Sequence, residues 1–217
     1  MDFGTEFQPQ IIEPQKIQDR SFAIIAEELG EHPFTPPQFK VVQRVIHASA
    51  DFALGRSLVF HERAIESGIA AIQAGRTIVT DVQMVQVGII KQRIEKYGGD
   101  VRVYISDADV MQEAMQLGIT RAIVAVRKAA KQAPEGIYVV GNAPTALLEV
   151  IRLVKAGELR PSLVIGVPVG FVSAAESKAE LEKLDIPFIV NRGRKGGSPA
   201  AAAAVNALAI LAEQQNA

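Results

Sequence analysis

Residues 191–212, NRGRKGGSPAAAAAVNALAILA, predict a basic loop that leads into a helix. Serine is a preferred N-cap residue and proline is favoured at the first helical position, so Ser198 and Pro199 mark the helix start. The alanine-rich run that follows has high helix propensity. Free N–H groups, the positive end of the helix dipole and nearby cations together favour an anion-binding site. The residues predicted to contact a substrate here are Arg192, Arg194, Lys195 and Ser198.

The same stretch has a plainer explanation, in which Gly196 and Gly197 form a flexible turn and the cations are incidental. Neither of two known phosphate-binding patterns fits it, since G-x-x-x-x-G-K-[ST] and G-x-G-x-x-G are both absent. The spacing alone leaves both explanations open.

Upstream, five short apolar runs alternate with segments of helical pattern, and the runs are typical of buried strands. Strands that alternate with helices form parallel sheets covered on both faces. We therefore expect an α/β fold, a doubly wound, mostly parallel five-stranded sheet with helices on both faces and a helical N-terminal extension. In that extension, Asp19 is the expected N-cap of a helix that ends at Gly30. The predicted strands are residues 77–80, 101–105, 137–140, 163–167 and 187–190.

Polar or glycine-rich loops follow four of these strands: Thr-Asp, GNAPT, GVPVGFVS and NRGRKGGS. In open α/β sheets, ligands bind beyond the carboxyl ends of the strands. We therefore expect one substrate site, in which Asp81, Met84 and Asn142 lie near the basic residues. The turn requirements of strand-to-helix loops explain much of the glycine and proline, but not the placement of Asn142 and three cations on one edge.

The composition fits one ordinary globular domain, which we expect to span residues 1–217, with the first 15 residues flexible and in part vector-derived. The chain has 217 residues, with 48% apolar and 22% charged side chains. A net charge of −1 argues against binding nucleic acid by bulk charge. The absence of cysteine excludes disulfides, thiolate nucleophiles and Cys-ligated metals. No apolar run reaches the roughly 18 residues of a membrane span, so we expect a cytoplasmic protein without a membrane partner.

His47 is the histidine that lies inside a helical pattern, predicted over residues 38–52. Arg44 precedes it, and Asp51 follows one turn later. Imidazole changes charge near neutral pH, so His47 can serve as a catalytic acid, with Asp51 holding it protonated. A structural role, which is commoner for a lone helical histidine, is the alternative. The sequence shows no metal-ligand spacing and no G-x-S-x-G elbow.

Arg121 is predicted to lie in the first turn of a helix that begins at Thr120. The helix dipole disfavours a cation there by about 0.3–1 kcal/mol. A second contact to an anionic ligand explains the position, and a side chain that extends into solvent explains it equally well.

Seven motifs cover nearly the whole chain: DRSFAII (residues 19–25), RVIHASADF (44–52), TDVQMVQVGI (80–89), GITR (118–121), GNAPTALL (141–148), GVPVGFVSAAESK (166–178) and GRKGGSPAAAAAVNAL (193–208). Taken together, they resemble the precorrin-8X methylmutase family, which includes the cobalt-precorrin-8 methylmutases of cobalamin biosynthesis. The last two motifs are long and specific. The departures are small: Ala50 stands where many relatives have Gly, and Ser49 where some have Cys.

The resemblance implies a flavodoxin-like fold, a homodimer with sites near the subunit interface, and an isomerase that moves a methyl group from C-11 to C-12 of a contracted macrocycle. The substrate would be precorrin-8X, which gives hydrogenobyrinate, or cobalt-precorrin-8, which gives cobyrinate. His47 resembles the active-site histidine near a ring nitrogen, and Ser21 and Arg121 resemble substrate contacts. No cofactor is implied, because any cobalt is carried by the substrate. The alternative is a non-catalytic α/β domain that binds an anionic small molecule such as a corrinoid.

Overall fold

The computed structural model describes residues 4–215, which fold into an α/β structure of eleven helices and six strands. The chain divides into two compact units, Met1–Pro33 and Phe34–Ala217. Of the described residues, the first unit contains one helix, and the second contains the sheet and ten helices. That residues 1–217 form a single domain stays a prediction. Within residues 4–215, no helix is long and apolar enough to cross a membrane.

Helix α1, Pro14–Leu29, is the predicted N-terminal extension, and it begins earlier than the sequence indicated. A proline at the first helical position forfeits no helical hydrogen bond, so Pro14 can start the helix. The expected N-cap Asp19 therefore lies inside α1, where its carboxylate accepts a 2.8 Å hydrogen bond from the Gln15 amide. Gly30 ends the helix as predicted, with a φ of 62° that glycine adopts without strain.

Six strands form one sheet: β1 (Leu58–Phe60), β2 (Ile78–Thr80), β3 (Val101–Val103), β4 (Ile137–Val140), β5 (Leu163–Gly166) and β6 (Phe188–Asn191). Their order is β1-β6-β5-β4-β2-β3, and all neighbours are parallel except β1 and β6. The predicted count of five strands is wrong, because Leu58–Phe60 forms a sixth strand, whose apolar run is shorter than the four or five residues of each predicted strand. It pairs at the sheet edge, with Leu58 opposite Asn191.

Ten further helices flank the sheet: α2 (Pro36–Ser49), α3 (Phe52–Arg56), α4 (Ala64–Gln73), α5 (Gln83–Gly88), α6 (Lys91–Glu95), α7 (Ala108–Leu117), α8 (Arg121–Gln132), α9 (Pro144–Lys155), α10 (Ala174–Leu181) and α11 (Ser198–Gln215). Every residue of β2, β4, β5 and β6 is buried. Since successive strand residues point to opposite faces, helices cover both faces, as predicted.

Strand β5 shows which helices cover each face. An added Cβ at Gly166 would lie 3.0 Å from side-chain atoms of Leu147 in α9 and Leu181 in α10. The side chain of Leu163 points to the opposite face, where it would lie 2.9 Å from a Cβ added at Gly68 of α4. Helices α9 and α10 therefore pack on one face, and α4 packs on the other.

Helix α11 packs against α2, α4 and α5, and its alanines allow close approach. An added Cβ at Gly88 of α5 would lie 2.8 Å from Ala202, and one at Gly141 would lie 2.9 Å from Ala201. Larger side chains at these positions would force the elements apart. The alanine-rich sequence thus reflects tight packing as well as helix propensity.

Helix α2 ends at Ser49, three residues before the predicted end at Phe52. Ala50 takes the left-handed conformation (φ 52°, ψ 27°), which breaks the helix. Asp51 then caps a new helix, α3, by accepting the Leu54 N–H at 2.9 Å. The prediction that Asp51 lies one turn after His47 on the same helix is therefore wrong.

Candidate active site

The loop after β4 is shaped by the carboxylate of Asp81, which follows β2. This side chain is only 5% exposed, and its oxygens accept N–H bonds from Gly141, Asn142 and Ala143 at 3.0, 2.8 and 2.7 Å. Burial raises the pKa of Asp81, while the three N–H donors act in the opposite direction. The geometry gives Asp81 a role in building the site, and its direct contact with a substrate stays a prediction.

The starts of helices α8 and α9 lie side by side at this edge. The Thr120 hydroxyl, directly before α8, lies 3.1 Å from the hydroxyl of Thr145 in the first turn of α9. Arg121 is the first residue of α8, and its side chain is exposed. Asn142 is exposed two residues before α9. The fold thus brings Arg121 and Asn142 to the same edge.

Met84 lies on α5, which follows the buried Asp81 by one residue. It is 67% exposed, and Val87 on the same helix is 74% exposed. A thioether is polarisable and adapts to irregular surfaces, so Met84 can make dispersion contacts with a conjugated ligand.

The segment of residues 192–197, called the basic loop below, joins β6 to α11 and lies against the end of β5. An added Cβ at Gly196 would lie 2.2 Å from the Val167 carbonyl oxygen, so glycine is required there. The Gly197 N–H donates to the same oxygen at 2.9 Å. Ser198 is the first residue of α11 and is 5% exposed, so it lies one position further into the helix than the predicted N-cap.

Two arginines of the basic loop differ in their surroundings. The Arg192 guanidinium lies 2.9 Å from the Glu182 carboxylate, which raises the pKa of Arg192 and offsets its charge. Arg194 is exposed, and its guanidinium lies 5.9 Å from the ring centre of Phe171, itself 86% exposed. Arg194 is therefore better placed than Arg192 to meet an incoming anion.

Lys195 connects the basic loop to the segment that carries His47. Its ammonium lies 2.7 Å from a carboxylate oxygen of Asp51. This bond, together with the Leu54 N–H, lowers the pKa of Asp51. His47 lies in the last turn of α2, four residues before Asp51, and is exposed. The end of α2 and the basic loop therefore meet at one place.

Lys178 is a functional candidate that the sequence analysis does not identify. It lies on α10, fully buried (0% exposed), and its ammonium donates to the Asn191 side-chain oxygen at 3.1 Å and to the Lys195 carbonyl at 2.8 Å. The Asn191 amide donates to that same carbonyl at 2.8 Å. A lysine in a polar helix normally indicates a solvated face, so the pattern holds no signal for this burial.

Ser21 belongs to the first unit. Its hydroxyl donates to the Ile17 carbonyl at 2.8 Å, a bond within α1 that serine often makes in helices. Its contact with a substrate stays a prediction.

A concave region of about 640 Å³ between α7, α8 and α9 contains none of the predicted site residues. Two of its residues, Arg127 and Arg152, bind the buried carboxylate of Glu149 at 2.8 and 2.9 Å. Among residues 4–215, no cluster of three or more His, Asp or Glu side chains could hold a metal ion. The candidate site therefore remains the edge formed by the strand ends, the basic loop and the end of α2.

Comparisons with known proteins identify the family of this chain. A family model described as precorrin-8X methylmutase matches residues 16–211. The cobalt-precorrin-8 methylmutase of Priestia megaterium is 64% identical over 213 residues, which cover 98% of this chain and 95% of that protein. The enzyme of the same name from Leptospira interrogans is 44% identical, over 93% of this chain and 95% of the relative. The precorrin-8X methylmutase of Pseudomonas aeruginosa is 39% identical, over 92% and 96%.

A solved structure shares the fold as well as the sequence. The precorrin-8X methylmutase of Thermus thermophilus superposes with a TM-score of 0.85 at 38% identity, over 93% of this chain and 99% of that chain. Family model, relatives and fold agree over almost the whole length. The chain belongs to the precorrin-8X methylmutase family, whose members are isomerases of cobalamin biosynthesis.

Proposed function

We propose that this chain moves a methyl group from C-11 to C-12 of precorrin-8X or cobalt-precorrin-8. The observation that carries the proposal is the 64% identity, over 98% of the chain, to a relative named cobalt-precorrin-8 methylmutase. The geometry supports it, because cations, helix starts and an exposed imidazole lie near one sheet edge. A substrate with many carboxylates needs such cations, and an acid-assisted isomerisation needs a proton donor.

The reaction rearranges bonds within one molecule, and the mass of the substrate does not change. The bond from the methyl carbon to C-11 breaks and a bond to C-12 forms, in a formal [1,5]-sigmatropic shift that moves the ring double bonds. The protein supplies placement and one proton donor, and we propose no cofactor of its own, since any cobalt is carried inside the macrocycle.

His47 is the proposed donor. A proton or hydrogen bond given to a ring nitrogen withdraws electrons from the conjugated system and favours migration of the methyl group to the adjacent carbon. The proton returns to His47 as the product forms. General-acid catalysis of this kind typically contributes about 10²–10⁴-fold.

The substrate carboxylates are proposed to bind the cations at the sheet edge and the start of α11. Charge-assisted hydrogen bonds contribute roughly 1.5–3 kcal/mol each when they are shielded from water. The proposed contacts are Ser21, Asp81, Met84, Arg121, Asn142, Arg192, Arg194, Lys195 and Ser198.

Cobalt-precorrin-8 is the proposed natural substrate. The relatives at 64% and 44% identity carry the cobalt name, whereas the Pseudomonas aeruginosa relative named for precorrin-8X is 39% identical. Turnover with each substrate tests the choice: we expect kcat/KM to be higher for the cobalt form, and the opposite ranking would contradict it.

We also propose a homodimer with sites near the subunit interface. An exposed apolar segment beside the basic loop supports it: Val169, Phe171 and Val172 are 45%, 86% and 81% exposed. Light scattering at the working concentration tests the idea, and a monomer with full activity would overturn it. The order of the five parallel strands, β3-β2-β4-β5-β6, supports a flavodoxin-like sheet.

Incubation of the purified protein with precorrin-8X and with cobalt-precorrin-8 tests the main proposal. We expect a change in the absorption spectrum at constant mass, with formation of hydrogenobyrinate or cobyrinate. Heat-denatured protein is the control for spontaneous rearrangement. If both substrates bind tightly but neither shows a spectral change, the result would instead indicate a protein that binds corrinoids without catalysis.

A further inference from the structure

The proposed mechanism leaves the buried ammonium of Lys178 without a role. Its two hydrogen-bond partners, the Asn191 amide oxygen and the Lys195 carbonyl oxygen, are neutral. Within residues 4–215, no carboxylate forms an ion pair with it. Burial without a counter-charge is costly, and desolvation lowers the pKa of Lys178 from 10.5 to about 8. The fold therefore keeps an unbalanced positive charge on the buried side of the basic loop.

Four ion pairs involve charged groups of α9, α10 and the basic loop, and Glu176 of α10 and Arg194 of the basic loop are exposed. The ordinary pKa values of carboxyl, guanidinium and lysine ammonium groups all lie outside the range from about pH 7 to pH 9. The pKa of Lys178, lowered by burial to about 8, lies inside that range, so its charge can be separated experimentally from theirs. The pairs are Lys155–Glu180, Arg152–Glu149, Arg192–Glu182 and Lys195–Asp51.

We propose that Lys178 is a positioning residue for substrate binding: its buried ammonium fixes the backbone of the basic loop at Lys195 in the conformation that binds carboxylates. The inference rests on the proposed function. A charged donor makes a stronger hydrogen bond to a carbonyl than a neutral amine does, so loss of the proton loosens the loop. It also removes positive charge near the bound anion. The affinity for a polycarboxylate is therefore highest while Lys178 is charged.

Protonation and binding are reciprocal. If a charged Lys178 favours the anion, the bound anion favours a charged Lys178. Near pH 8 the free protein has lost part of this proton and the complex regains it, so binding takes up protons. As the pH rises through about 8, the affinity falls.

Binding titrations with cobyrinate at about pH 7 and pH 9 test the proposal. The variants are Lys178→Met, which is neutral, Lys178→Arg, which stays charged, and Lys183→Met, which removes an exposed lysine nearby as a control. We expect the wild type and Lys183→Met to bind about fivefold or more weakly at the higher pH. Lys178→Met should bind weakly at both pH values, and Lys178→Arg should restore affinity at the higher one. In turnover, Lys178→Met should raise KM much more than it lowers kcat.

A second test is calorimetry of the wild type at about pH 8, in two buffers of different ionisation enthalpy. Its result does not depend on whether any variant folds. We expect net proton uptake on binding cobyrinate, and its loss in Lys178→Met. Equal affinity at both pH values with no uptake would overturn the inference and leave the proposed function standing.

A wild type that neither binds nor converts the corrinoid would overturn the proposed function instead. Anchoring of the loop is then tested separately by amide hydrogen exchange of residues 192–197. We expect faster exchange in Lys178→Met than in Lys183→Met, and equal rates would refute the anchoring role.

Discussion

The ammonium of Lys195 lies 2.7 Å from the carboxylate of Asp51, and the two residues are 144 positions apart in the chain. Their side chains are 55% and 30% exposed, so the pair contributes only about 0–1 kcal/mol to stability. Its position is more informative than its energy, because it joins the proposed carboxylate-binding loop to the end of the helix that carries His47.

Replacing Asp51 by Asn tests this connection. Asparagine caps helices as well as aspartate does, so we expect the free energy of unfolding to fall by less than about 1 kcal/mol. If the Asp51 carboxylate acts on the His47 imidazole, the loss of its negative charge should move the activity limb to lower pH. The rate should fall less than in His47→Ala. Steady-state rates across pH measure this, with Asp185→Asn, an exposed carboxylate paired with Arg63, as the control. An unmoved limb would show that Asp51 does not act on His47.

The backbone conformation of Ala50 leads us to expect that its replacement by glycine stabilises the protein. Its φ of 52° lies in the left-handed region, which costs a non-glycine residue about 1–2 kcal/mol. Glycine removes this strain but adds about 0.4–1 kcal/mol of unfolded-chain entropy, so Ala50→Gly should stabilise by up to about 1 kcal/mol. Ala48→Gly, inside α2, should destabilise by roughly 0.5–1 kcal/mol. Urea unfolding compares the two, and shifts in the same direction would contradict the assignment of strain.

The sequence predicts those parts of the fold that depend on local patterns. Apolar runs indicate the five parallel strands, and Gly30 ends α1 as expected. Strand β1 is not predicted because its apolar run, Leu58–Phe60, is shorter than the four or five residues of each predicted strand, and only its pairing with β6 defines it. The left-handed conformation of Ala50 is not predicted either, because alanine does not indicate the end of a helix.

The sequence predicts which edge of the sheet forms the site, but not which side chains pair with one another there. Parallel topology places the strand-end loops together, which a sequence can indicate. The partners Glu182 of Arg192 and Asp51 of Lys195 are long-range contacts without a local pattern. The burial of Lys178 likewise depends on how α10 packs against β6.

The cations of the site should differ in their effect on binding. Arg192 already has a carboxylate partner, whereas Arg194 is exposed beside Phe171. We expect Arg121→Ala and Arg194→Ala to weaken cobyrinate binding by up to about 1.5–3 kcal/mol each, and Arg192→Ala by less. Added salt should weaken binding in the parent. Arg160→Ala, which changes an exposed arginine three residues before β5 at its amino end, is the matched control. Unchanged affinity in all three site variants would refute the carboxylate contacts.

The buried ammonium of Lys178 should make the stability of the protein depend on pH in an unusual way. Burial lowers its pKa in the folded state to about 8, from 10.5 in the unfolded chain. Between these values the unfolded chain holds the proton more often than the folded one, so the free energy of unfolding rises with pH. Lys178→Met should lack this rise and should be more stable than the parent at about pH 7. Urea unfolding at several pH values measures both, and parallel curves for parent and variant would contradict the assignment.

The final prediction concerns His47. Its replacement distinguishes a role in proton donation from a role in positioning the substrate. It is exposed in the last turn of α2, so truncation leaves the core intact, and we expect His47→Ala to fold and to bind cobyrinate. If its imidazole donates to a ring nitrogen, the single-turnover rate should fall by about 10²–10⁴-fold. Single-turnover spectroscopy beside a binding titration measures both quantities, and His61→Asn, which alters a histidine paired with Asp185, controls for a general effect of histidine loss. Loss of binding together with rate would assign His47 to substrate contact. A variant that turns over at the parent rate would leave positioning by the basic loop and Arg121 as the source of catalysis.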